Sequence, residues 1–180
     1  MQPVKTADMT PQSAQAKVLE LLSEISRPGI DKVIEFLHAS NYFTSARCYK
    51  HHRCMNGLLM HSLEVLDAML KNNIFSLSRE SIIIVALFHD LGKATLNRRM
   101  IGSGDHCSRS VDILEQCGFE LTEQESSAIY NHHPGKHLGK LARAASNPLQ
   151  LLLHAGDCIS TGVNKRGSEY KFSCLRPDHN

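Results

Sequence analysis

The chain has 180 residues, 42% hydrophobic, 6% aromatic and 21% charged, with a formal net charge of +2 at pH 7. That composition describes one ordinary domain with an aliphatic core, and its charge is too small to argue nucleic-acid binding by itself. The six cysteines form no CxxC pair and no regular spacing, nothing at Met1–Ser13 has the form of a signal peptide, and no apolar run approaches a membrane span. The expectation is a cytoplasmic globule with reduced thiols and no membrane partner.

Residues 1–9 carry no pattern and read as a loose arm. Thr10-Pro11 signals a helix start, with Thr as cap and Pro in the first turn. Val18, Leu19, Leu22 and Ile25 recur at helical spacing, and Pro28-Gly29 breaks that helix. Ile30, Val33, Ile34 and Leu37 give a second one. Both helices read as packing elements without chemistry. Residues 40–57 are polar and end at Asn56-Gly57, so they read as a loop, which contains His51-His52. Leu59, Leu63, Leu66 and Leu70 then mark one face of a helix with His61 near its start.

The run Ile82–Phe88 is unbroken apolar and predicts a helix buried on most of its faces. Ser78 suits the start of that helix, and Gly92 suits the left-handed position that ends one. His89 and Asp90 then fall in the last turn, where an unpaired charge is costly. A poorly solvated His beside Asp is what a hard or borderline divalent metal takes as ligands, although such a pair alone is more often a hydrogen-bonded helix end. Lys93 is a cation at a helix C-terminus, favourable with the dipole.

Downstream, Asp105 caps a helix with Val111, Ile113 and Leu114 on its apolar side, Gly118 as its stop and His106 in its first turn. Thr122 and Glu125 have the form of a capping box on a helix that runs towards Tyr130 and ends at Asn131-His132-His133-Pro134-Gly135. A basic segment with Lys136, Lys140 and Arg143 follows. Pro148 opens a last helix with Leu149, Leu152 and Leu153 inside and Asp157 one turn further along. No strand alternation or internal repeat emerges. The fold class is all-α, about six or seven helices, divided as a loose arm over 1–12, one helical domain over 13–163 and a polar, poorly ordered tail over 164–180.

The chemistry-bearing residues stand in a fixed order: His61, His89-Asp90, His106, His132-His133, Asp157. With His89-Asp90-Leu91-Gly92-Lys93 at its centre, this set resembles the HD-domain metal-dependent phosphohydrolases, over a stretch from about His52 to Ser160. The resemblance implies a single HD-domain helical bundle. It implies metal ligation by His61, His89, Asp90 and Asp157, with His106, His132 and His133 completing a second position and Asp90 bridging. It implies a divalent transition metal, two ions in all; imidazole-rich ligation favours Mn, Fe, Ni, Co or Zn over Mg. Two metals sharing a hydroxide clamp a phosphate oxygen. The implied activity is hydrolysis of a phosphate ester or phosphodiester of a nucleotide or short oligonucleotide. Asp90 and Lys93 are then the catalytic residues, and His52, Lys93 and Lys136 contact the substrate phosphate.

The stretch His51 to His61, and His132-His133 followed by Gly135-Lys136, are similar to the HD domain of YhaM-type 3′–5′ exoribonucleases. Those enzymes carry an added OB-like domain for which this chain has no room, so strong duplex nucleic-acid binding is not expected. Two other readings use the same residues: a di-iron oxygenase of the inositol-oxygenase-like HD branch, and a metal-retaining nucleotide-sensing module without catalysis. The complete ligand set counts against the latter. His38, His137, His154 and His179 read as ordinary histidines, with His154 placed one turn from Asp157 as a partner behind the ligands.

Overall fold

The computed structural model describes residues 9–45, 56–94, 105–133 and 147–166. Among the described residues the chain is all-α. The helices are α1 (Pro11–Leu22), α2 (Ile30–Ala39), α3 (Gly57–Lys71), α4 (Arg79–Phe88), α5 (His106–Gln116), α6 (Glu123–Tyr130) and α7 (Pro148–Arg166), with a 3₁₀ turn at Leu91–Lys93 between α4 and α5. No helix among the described residues is long and apolar enough to cross a membrane.

Two helices are buried all round, and they make the frame. Every residue from Ile82 to Phe88 is fully buried, so α4 runs through the middle with α1, α3, α6 and α7 against it. In α3 the buried stretch runs unbroken from Gly57 to Met69, and α3 packs most extensively on α7 and α4. Each large aliphatic side chain buried in this way contributes about 1.5–3 kcal/mol of transfer free energy. The two helices therefore sit in fixed positions, and what they carry at their ends is fixed with them.

Local chemistry sets the boundaries. The Thr10 hydroxyl accepts from Ser13 N–H at 3.2 Å, and Asp105 accepts from Cys107 N–H at 3.3 Å. Both halves of the Thr122–Glu125 capping box form, and Gly118 adopts φ 67° after α5. The start of α7 is capped by Asn147, whose side-chain oxygen accepts from Leu149 and Gln150 N–H at 3.1 and 3.2 Å.

Three expectations are corrected. Ser78 precedes α4, but its side chain makes no capping bond. The stretch after α2 is not merely a polar loop, because Tyr42 and Phe43 are buried and the Tyr42 hydroxyl donates to Leu87 O at 2.9 Å. Gly92 is not left-handed; among the described glycines only Gly29 and Gly118 have positive φ. Helix α4 instead ends at Phe88, and the chain turns through His89 and Asp90 into the 3₁₀ turn. Glycine is needed there for a different reason. A Cβ at Gly92 would lie 2.2 Å from His106 O, so only glycine lets this turn press onto the start of α5.

The N-terminal helices carry a clamp that periodicity alone does not reveal. Arg27, in the α1–α2 turn, grips both oxygens of fully buried Glu125 at 2.6 and 3.0 Å, and Arg27 Nε donates to Glu80 at 3.2 Å. Burial pushes the Glu125 carboxyl up, but Arg27 holds it below its usual range. Removing the arginine strands a buried charge. Arg27→Ala should therefore lower unfolding free energy by about 3 kcal/mol or more. Arg79→Ala, which breaks an exposed pair with Glu24, should cost under about 1 kcal/mol. Urea denaturation of the two variants checks this, and equal losses would contradict the clamp.

Candidate metal centre

Four helix junctions meet at one end of the bundle. His61 sits one turn into α3, His89 and Asp90 leave α4, His106 opens α5, His132 and His133 follow α6, and Asp157 lies on α7. The packing of α3 on α4 and α7, and of α6 on α5 and α7, brings these points together. Ser110 ties the junctions: its hydroxyl accepts from Gly92 N–H at 2.8 Å and lies 2.9 Å from both His89 O and His106 O.

Asp90 is the centre of the cluster and only 1% exposed. Its Oδ2 lies 3.5 Å from both His61 Nε2 and His89 Nε2, and these two nitrogens are 3.2 Å apart. Its Oδ1 faces His106 Nε2 at 3.2 Å and His132 Nε2 at 3.7 Å. Asp157 Oδ1 approaches His61 Nε2 at 3.2 Å, and Asp157 Oδ2 approaches His133 Nδ1 at 3.6 Å. Two donor groups share Asp90, His61–His89–Asp90 and Asp90–His106–His132–His133, and a third, Asp105–His106–Cys107, adjoins them.

The far side of each ring decides what its Nε2 can do. His89 Nδ1 lies 3.0 Å from Ala86 O, and His132 Nδ1 lies 2.7 Å from Ile129 O; a carbonyl only accepts, so each Nδ1 carries the proton. His61 Nδ1 meets the Ser160 hydroxyl at 3.0 Å, and that hydroxyl donates to Glu64 at 2.5 Å, so it accepts from His61. His106 Nδ1 faces Asp105 at 3.4 Å. In the neutral rings every Nε2 then presents a lone pair towards Asp90 or another Nε2. Facing lone pairs at these distances need positive charge between them, as a metal ion or as added protons. Asp90 Oδ1 makes the same point, since it is buried and accepts no hydrogen bond of good geometry. The residues fit a metal.

The charges agree with that fit. Burial, with neighbouring imidazoles, drives His89 down to about 3 and His133 down to about 4. Burial also opposes charge on His106 and His132, yet Asp90, with help from Cys107, raises them to about 9 and about 10. Asp90 itself is buried but held well below the usual carboxylate range by His89 and Lys93, and Asp157 is held low by His61. The cluster draws positive charge, either as protons on imidazoles or as a cation.

All seven expected metal-ligand residues therefore lie together, and Lys93 joins them with Nζ 2.5 Å from Asp90 Oδ2. His52 and Lys136 lie outside the described residues. His154 donates from Nδ1 to His132 O at 3.0 Å, bracing the backbone behind a ligand. Ser160, Glu64, Ser110 and Cys107 are site neighbours that sequence reasoning missed. Two of them had a signal: Glu64 is three residues past His61 on α3, and Ser160 three past Asp157 on α7, so each pair shares a helix face.

The sequence model of the HD domain matches residues 58–162, more than half of the chain. The chain belongs to the HD-domain family. Every residue of the cluster falls inside the matched span, and the name-giving pair is His89-Asp90. Comparison with the curated proteins and with the solved structures gives no match. HD domains hold divalent metals, and this one presents two His/Asp donor groups that could do so.

The raised pKa values fix a pH dependence. His106 and His132 carry protons below about 9 and about 10 when no metal is bound, and a ligand nitrogen must lose its proton. Metal uptake near neutral pH should release protons, and affinity should climb as pH rises towards those values. Calorimetry in two buffers of different ionisation enthalpy measures the release. Affinity independent of pH, with no proton released, would remove these two rings from the ligand set.

Proposed function

We propose that this HD domain is a metal-dependent phosphohydrolase that cleaves a phosphate ester or phosphodiester of a nucleotide or short oligonucleotide, with a divalent transition metal in each of two positions joined by Asp90. The observation that carries the reading is the buried Asp90 carboxylate shared by both donor groups, with Lys93 on one of its oxygens. When bound, the metals supply a water acidic enough to attack near neutral pH and neutralise charge on phosphoryl oxygens.

The chain's own residues do the rest. His61, His89 and Asp157 hold one position, and His106, His132 and His133 the other. The carbonyls of Ala86 and Ile129 and the Ser160–Glu64 relay aim three of these rings, so little reorganisation is needed when charge develops. Lys93 is 24% exposed at its side chain, so its ammonium reaches both Asp90 and the outside of the site. There it meets charge on a non-bridging phosphoryl oxygen. His52 and Lys136 extend the phosphate contacts in this reading, and the likeness of residues 51–61 to YhaM-type exoribonucleases supports a nucleotide diester as substrate. An uncharged substrate for oxygenation has no use for that cation.

Hydrolysis of an aryl phosphodiester and of short nucleotide diesters, with Mn or Co loaded, tests the proposal. Activity should vanish with chelator. Lys93→Ala should cut kcat on the order of 10²–10³-fold, while metal affinity holds or tightens because a neighbouring cation is gone. Unchanged kcat would remove Lys93 from the reaction. Dioxygen consumption without diester cleavage under any metal would select the oxygenase instead.

A further inference from the structure

We propose that Cys107 supplies a thiolate ligand to the metal position formed by His106 and His132, making that position selective for thiophilic ions such as Zn, Co or Fe over Mn and Mg. The inference rests on the metal-centre reading above and deepens it. Cys107 is 2% exposed, and its Sγ lies 3.7 Å from His106 Nε2 and 4.0 Å from His132 Nε2. Around one tetrahedral ion, with metal–sulfur bonds of about 2.3 Å and metal–nitrogen bonds of about 2.0–2.1 Å, sulfur and nitrogen donors stand about 3.5 Å apart. The observed separations are close to that spacing before any ion draws the donors in.

A buried cysteine is commonly a small apolar side chain with a weak S–H bond to a neighbour. Here the sulfur stands among donors that one ion can gather. With both rings neutral, as metal ligation requires, Nδ1 of His106 and His132 faces Asp105 and Ile129 O, and both Nε2 atoms turn lone pairs towards the sulfur. One thiol proton serves one of them. Asp90 Oδ1, also buried and without a hydrogen bond, points at the same two nitrogens. Two imidazole nitrogens, an orphan carboxylate oxygen and a sulfur thus converge where one cation can be their common partner.

The backbone favours the ionised form. Cys107 is the second residue of α5, and a helix N-terminus stabilises a thiolate. On coordination the thiol proton passes to solvent and sulfur bonds to the metal, with no change of oxidation state. Mixed imidazole and thiolate donors suit Zn, Fe and Co, whereas Mn and Mg prefer oxygen.

Cobalt(II) titrated into metal-stripped full-length protein tests this. The expected result is an intense near-ultraviolet sulfur-to-cobalt charge-transfer band that is lost in Cys107→Ser and kept in Cys117→Ser. Cys107→Ser should also lose zinc affinity about tenfold or more with manganese affinity unchanged. Should Cys107→Ser fail to fold, X-ray absorption of the zinc-loaded wild type must show a sulfur neighbour at about 2.3 Å. Cobalt bound without the band, or a band that survives in Cys107→Ser, overturns the thiolate and leaves the metal centre standing. No cobalt uptake at all overturns both.

Discussion

A carboxylate with almost no exposure to water sits where four helix junctions meet, and the rest of the structure is arranged around it. Burying an unpaired charge costs several kcal/mol, and Asp90 is buried in the company of four Nε2 atoms and one ammonium. The ammonium serves one oxygen. The other oxygen faces imidazole nitrogens whose far sides are engaged elsewhere, so hydrogen bonding within the chain leaves it unsatisfied. A cation completes the set.

The fold's part is to make that meeting rigid. Helices α3 and α4 are buried on every face over most of their length, which leaves them no freedom to rotate or slide without opening the core. His61 and the His89-Asp90 pair are thus placed by core packing. The other half of the cluster depends on a close approach: the 3₁₀ turn at Gly92 presses on His106 O, and Ser110 pins the two strands of backbone together. Arg27 works from the opposite side, holding the start of α6 through Glu125 and so the helix whose end delivers His132 and His133.

Much of this was readable from residue types and their order. Seven consecutive apolar residues from Ile82 to Phe88 announce a buried helix, and a His-Asp pair directly after it has nowhere solvated to go. The capping box at Thr122 and the stop at Gly118 follow from local backbone chemistry, and the structure has them, whereas α1 ends at Leu22, short of the expected break at Pro28-Gly29. What stayed hidden is tertiary. Gly92 looks like a helix terminator in one dimension, whereas its reason is the proximity of His106 O, fourteen residues on. Arg27 looks like one more surface cation in a packing helix until Glu125, ninety-eight residues away, is found under it. Cys107 carries no motif, and only the convergence of α5 with the end of α6 puts its sulfur beside two imidazoles.

Metal stoichiometry tests the shared carboxylate most directly. Elemental analysis of wild type after loading with Co and desalting should approach about two ions per chain. Asp90→Ala should keep its helical circular dichroism, because the released imidazoles can shed their protons, and should hold neither ion. A wild type that saturates at one ion, or an Asp90→Ala protein that retains both, would contradict an Asp90 carboxylate shared between two positions.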